Sequence, residues 1–176
     1  MSYDLYNDPI LGAALAYWRA KSGARAMPRR SDIEPTEIPR LLPNLQITEI
    51  VDGGKRIRYR LVGTAIVEAY ANELTGKHYD EIFSGKRLRF IEAHYRTLCS
   101  EKRPILSRNR FFTDTHIDGR FCNRLMMPLS ADGETVNQCL TAVTFEFPGL
   151  AYRWLGQWFR NDDQFDYDKS RIAIVE

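Results

Sequence analysis

The chain mixes stretches whose apolar residues recur at helical spacing with stretches that alternate every second residue. In residues 8–22, Leu11, Leu15 and Trp18 form one stripe with Ile10, Ala14 and Tyr17 beside it. Asp8 is placed to cap the N-terminus, Pro9 stands at the first helical position and Gly23 follows the end, so a helix is predicted there. Its apolar arc is wide for a lone surface helix, so it should pack on the main body or on a second subunit. Residues 24–44 carry Pro28, Pro35, Pro39 and Pro43, which permit short helical turns but no long helix. Ile33, Ile38, Leu41 and Leu42 make that segment an ordered connection laid against the core.

Residues 45–63 read as a hairpin turning at Asp52-Gly53-Gly54, with Ile57, Tyr59 and Leu61 alternating against Arg56, Arg58 and Arg60. Residues 64–83 hold two short helical pieces broken at Thr75-Gly76. A longer helix over residues 86–100 brings Leu88, Ile91, Tyr95, Leu98 and Cys99 into an arc of about 100°, and Pro104 forbids its continuation. Three strands follow, over residues 105–112, 120–129 and 136–147, with turn signals at Asp118-Gly119 and Asp132-Gly133. The last of the three is apolar on both faces, as a central strand covered on both sides would be. Leu150, Trp154 and Trp158 predict a further helix in the tail, and Ile172-Ala173-Ile174 a short added strand.

That order predicts an α+β fold: a five-stranded antiparallel sheet with helices on one face, plus an N-terminal helix and a C-terminal helical tail. Three segments are expected. Residues 1–44 are a helix and proline-rich extension packed on the core, residues 45–147 the core itself, and residues 148–176 a helix and tail.

Composition narrows the function. A chain of 176 residues, 44% hydrophobic and 27% charged, is an ordinary globular domain rather than a disordered or disulfide-stapled one. Its net charge of +2 demands no polyanionic partner, so nucleic acid is not expected. Cys99, Cys122 and Cys139 have no knuckle spacing and read as reduced thiols in a cytosolic core, not as a metal site. The start MSYDLYNDPI has no basic region ahead of an apolar run, and no stretch is long enough to span a bilayer. A soluble, cytoplasmic protein is the expectation.

The element order resembles that of the PAS domain. LTGKHYDEIF (residues 74–83) is similar to the family's helical crossover, and DGRFCNRLMMPLSADG (residues 118–133) to its fourth strand and the turn after it. YWRA (17–20), MPRRSDIEPTEIPRLLPNL (27–45) and RYRLVGT (58–64) resemble a bacterial subfamily with an N-terminal extension. The resemblance implies a sensory or regulatory module, without catalysis, that binds a small ligand between sheet and helices, forms a homodimer and signals to a protein partner. A ligand-free dimerisation module is the second reading and a small cone-shaped enzyme the third.

Candidate chemistry is sparse. The flavin photosensors of the family carry a reactive cysteine where residues 64–84 here have none, and His94, the one histidine on the longer helix, falls about 40° outside its apolar arc. Against the family's haem-binding members, Leu88 stands at the ligand position. Neither haem nor flavin is therefore expected as a cofactor, and His94 reads as partly exposed and structural. Asp114 and His116, in the loop TDTHIDG, are the only acid–base pair worth naming, and a polar hairpin loop explains them.

Arg58, Arg60, Arg108 and Arg110 should point outward from two opposite sheet edges, with Glu49 and Glu146 available to neutralise them. An unpaired buried arginine is costly, so the arginine-bearing faces of both middle strands, Arg124 included, are expected at solvent. That turns Ser107, Asn109 and Asn123 inward with Tyr95 opposite, as candidate ligand-binding residues. Asn109 and Asn123 either satisfy each other, hold an ordered water, or anchor a small planar or amide-bearing ligand with Tyr95. The wide apolar stripe of the first helix predicts a homodimer built on that helix.

Overall fold

The computed structural model describes residues 8–51, 55–110, 121–146 and 171–175. The first helix, α1 (Pro9–Ser22), begins where the cap was expected. Asp8 Oδ1 accepts from the backbone N–H groups of Ile10 and Leu11, both at 3.0 Å, and Gly23 ends the helix with φ +57°. Three 3₁₀ turns at Arg30–Asp32, Pro35–Glu37 and Leu42–Asn44 follow, each as long as the proline spacing allows. The strands are β1 (Leu45–Val51) and β2 (Arg56–Val62), then β3 (Ile105–Arg110), β4 (Phe121–Leu129), β5 (Gln138–Glu146) and β6 (Arg171–Ile174). Between β2 and β3 lie α2 (Thr64–Tyr70), α3 (Tyr79–Ile82) and α4 (Gly85–Glu101).

All described pairings are antiparallel, and the sheet order is β2-β1-β5-β4-β3-β6. The sheet thus has six strands, because the short tail strand pairs with β3 through Ile105↔Ile174 and Ser107↔Ile172. β3 is therefore not a sheet edge, which corrects the expectation that its arginines line one. The predicted tail helix around Trp154 and Trp158, and the loop with Asp114 and His116, lie outside the described residues.

Helices cover both faces of the sheet, not one. α2, α3 and α4 lie on the face that includes Tyr59, Thr141 and Met126. The other face carries α1, whose Leu11, Leu15 and Trp18 are at most 5% exposed. Trp18 Nε1 donates to the Pro128 carbonyl at 2.9 Å, and Thr144 Oγ1 donates to Asp8 Oδ2 at 2.6 Å. The stripe that pointed to a dimer is covered by the chain's own β4 and β5. Double coverage explains why β5 is apolar on both sides.

Gly63 fixes the seam between the extension and the core. A Cβ at that position would overlap the backbone carbonyls of Leu42 and Pro43, while the Gly63 N–H donates to Leu45 O at 2.8 Å. Only glycine admits so close a crossing of two chain segments.

Candidate functional site

Antiparallel partners share a face, so the β3–β4 register decides which side chains meet. Ser107 pairs with Arg124, Asn109 with Cys122 and Ile105 with Met126. Ser107 and Asn109 thus belong with Arg124 on the face under α2 and α4, and Arg108 belongs with Asn123 on the face under α1. Asn123 is inward but not on the Tyr95 side, and Arg124 is not on the solvent face; this register corrects both placements. Asn109 and Asn123 are on opposite faces and cannot satisfy each other. The reason lies in β4, where both alternating sets are largely apolar and only the arginine broke the tie, in the wrong direction.

On the α1 face Asn123 is fully buried. Its Nδ2 donates to Glu146 Oε1 at 2.6 Å, and Glu146 Oε2 accepts from Arg108 Nη2 at 2.9 Å. Arg108 also lies over the Phe121 ring, 3.8 Å from its centroid. Arg58 has a carboxylate partner too, Glu49 at 2.5 Å. Glu49 and Glu146 thus neutralise arginines as the sequence suggested.

The opposite face holds a partly open cavity of about 30 Å³, room for two or three waters. β1 and β5 contribute Gln46 and Thr141, β2 contributes Tyr59, and β4 contributes Arg124 and Met126. Tyr70 ends α2, Tyr79 and Phe83 bracket α3, and Phe90, Ile91, His94 and Tyr95 come from α4. Tyr95 is where the sequence placed it, but its hydroxyl is already partnered, by Thr48 Oγ1 at 2.8 Å and Tyr79 OH at 3.1 Å. Gln46 Nε2 donates to Tyr79 OH at 3.3 Å. The rings reinforce this chain, Tyr79 lying 4.4 Å from Tyr59 and 5.7 Å from Tyr95 between centroids. Burial pushes all three phenols well above their ordinary range, so they stay neutral donors.

His94 is 3% exposed, not a partly exposed surface residue. The buried residues of α4 are His94, Tyr95 and Leu98, whereas Leu88, Ile91 and Cys99 are half-buried. The helix has rolled toward His94, with Ile91, His94, Tyr95 and Leu98 at i, i+3, i+4, i+7. A carbonyl can only accept, so the 2.7 Å contact with Phe90 O fixes the proton on His94 Nδ1. Burial, against the Phe90 bond and with help from the Arg124 charge, lowers its pKa from 6.5 to about 4. His94 Nε2 is then a buried lone pair, and it has no hydrogen-bond partner among the described residues.

Arg124 is half-buried at the same cavity. Nη1 donates to Asn109 Oδ1, and Nη2 to Tyr70 OH at 3.5 Å. Among the described residues no carboxylate lies within ion-pair distance of it. Asn109 is therefore a support for Arg124. Ser107 is buried beside them without lining the cavity, and its hydroxyl has no hydrogen-bond partner among the described residues. Sequence reading missed Arg124, His94 and Gln46; the pairing of Arg124 with polar Ser107 was the available signal. The described residues contain no cluster of three metal-ligating side chains, and burial pushes the Cys139 thiol up to about 12.

The short helices and the one longer helix thus lie over one face of an antiparallel sheet, with a small cavity between. The PAS domain model matches residues 7–144, and the chain belongs to that family, whose members serve as sensory or regulatory modules. None of the curated proteins compared with the chain matches it.

Proposed function

We infer that the chain is a sensory module whose cavity takes a small ligand and whose occupancy changes what a signalling protein partner meets. The observation that carries this reading is a small cavity between sheet and helices, lined by Arg124 and by a buried His94 Nε2 that has no hydrogen-bond partner among the described residues. A core evolved for packing alone closes its buried polar groups, because an unmet one costs about 1–3 kcal/mol.

No catalysis is assigned. Haem and flavin are not assigned either: His94 Nε2 has the chemistry of a haem ligand, but a cavity of about 30 Å³ does not admit a macrocycle or an isoalloxazine. No described helix is long and apolar enough to cross a membrane, and cytoplasmic residence fits the reduced cysteines.

The second reading is a ligand-free interaction module, and the small cavity with its Gln46–Tyr79–Tyr95–Thr48 chain favours it. It loses the surface that first suggested it, since Leu11, Leu15 and Trp18 are buried within the chain. Native mass spectrometry of freshly purified protein, followed by a thermal-shift screen of small metabolites, separates the two. A bound or stabilising small molecule supports sensing; none, with a specific protein partner recovered in its place, supports the interaction module.

A further inference from the structure

The two ends of the sheet are finished differently. At one end β2 carries Arg56, Arg58 and Arg60, and residues 76–78 cover its outer edge: Gly76 N–H donates to Tyr59 O at 2.8 Å and Tyr59 N–H to Lys77 O at 3.0 Å. Charge and cover are the usual protections of a sheet edge. At the other end β6 has neither among the described residues. Ile172, Ala173 and Ile174 are all exposed, and the two isoleucines, at 36% and 44%, are the exposed large hydrophobic residues among those described. Both stand on the face under α4, opposite Ser107 and Ile105.

The register of β6 shows which backbone groups are left over. Val175 N–H donates to Pro104 O at 2.8 Å, so Val175 and, two residues back, Ala173 turn their backbone groups toward β3. Ile172 and Ile174 therefore turn theirs away from it, toward the open edge. Such a row is a template for a further strand.

The sequence shows which strand fits. Arg171 stands at one end of IAIV and Glu176 at the other. An antiparallel copy of the same strand brings each basic end to the acidic end of its mate, whereas a parallel copy would set like charge on like. A twofold axis at Ala173 sets that residue against its copy, and Ile172 against Ile174 of the copy. In this register each chain's two outward N–H groups meet the two outward carbonyls of the other, and the isoleucines lie side by side.

We propose that β6 is a homodimer interface, at which two copies of the chain pair antiparallel about Ala173 and join their sheets into one. The inference does not depend on what the cavity holds. A single pair of strands is a small contact, so the dimer is a weak one that forms and dissociates with concentration.

The test is analytical ultracentrifugation of the full chain over a concentration series, with amide exchange followed by NMR on the same samples. The mass should rise from one copy toward two, and the Ile172 and Ile174 amides should gain protection in step with it. Ile172→Pro removes an outward donor and spares the bonds to β3, so it should weaken the dimer at least about tenfold. Ile172→Lys should abolish it by setting a charge on the edge. Arg171→Glu should weaken the dimer, and adding Glu176→Arg to the same chain should restore it.

A single copy at every concentration overturns the proposal. So does a dimer in which the Ile172 and Ile174 amides exchange as fast as in the dilute chain, or one that Ile172→Lys leaves intact, since either places the contact elsewhere. The wild-type series needs no variant to fold.

Discussion

Arg108 and Arg124 sit on adjacent strands of one sheet and face opposite ways, and their surroundings differ in kind. Arg108, on the face under α1, meets the Glu146 carboxylate at 2.9 Å and lies over the Phe121 ring. Arg124, on the face under α2 and α4, meets an amide oxygen and a phenol, and no carboxylate among the described residues. On the α1 face Asp8 caps the helix and accepts from Thr144, and Trp18 reaches Pro128, while Asn123 Oδ1 has no hydrogen-bond partner among the described residues. On the cavity face the Arg124 cation has no carboxylate partner, and the His94 Nε2 lone pair no hydrogen-bond partner, among the described residues. The contrast teaches that arginines on adjacent strands of one sheet can meet partners of different kinds, a carboxylate under α1 and neutral oxygens under α2 and α4.

The sharpest break in the comparison should come from Trp18→Ala. Removing that side chain from the α1 face should cost about 4 kcal/mol, read as a fall in the denaturant midpoint. A loss under about 1 kcal/mol would mean that α1 is a loosely held appendage and not part of the core.

On the cavity face, acid should act through His94. Its pKa is about 4 when folded, below the ordinary 6.5, so the unfolded chain binds a proton that the folded one refuses. Stability from this group is complete above about pH 6.5 and is lost as pH falls toward about 4. The loss amounts to as much as about 3 kcal/mol. Arg124 and the buried phenols of Tyr59, Tyr79 and Tyr95 share the cavity and keep their protonation over that range. Denaturation series at both ends of the range should show His94→Asn losing less than the wild-type chain; equal losses would remove His94 as the cause.

A smaller effect tests the cap. Asp8→Ala should lower stability by about 1–2 kcal/mol, since it frees both N-terminal donors of α1 and the Thr144 hydroxyl at once. Asp8→Asn should recover most of that, because the amide oxygen still caps. If Asn is as damaging as Ala, the contact with Thr144 outweighs the cap.

Much of this architecture could be read from residue order. Asp8-Pro9 and Gly23 bracket α1, the break between β1 and β2 falls where Asp52-Gly53-Gly54 signals it, and the double-faced apolar run of β5 marks the central strand. The polarity of β4 could not. Phe121, Leu125, Met127 and Leu129 stand against Cys122, Met126 and Pro128, so period two gives no preferred face when both are covered. The general cost of a buried arginine then chose the wrong side, and Asn123 went with it. His94 was missed for a related reason: the apolar stripe of α4 was drawn through Leu88 and Cys99, yet the helix docks along Ile91, His94, Tyr95 and Leu98. Sites of this kind break local rules, which is what makes them hard to read from the rules.

Whether Arg124 serves the fold or, as proposed, a ligand is tested directly by one pair of unfolding curves. Arg108→Met and Arg124→Met are measured side by side without added ligand. Arg108→Met should lose about 1 kcal/mol, because it strips Glu146 of its cation and Phe121 of its stacked partner. Arg124→Met should be as stable as the parent or more so, since an apolar side chain of similar length removes a charge that has no counter-ion among the described residues. Arg124→Met falling as far as Arg108→Met, or further, would contradict the claim and make Arg124 a structural residue.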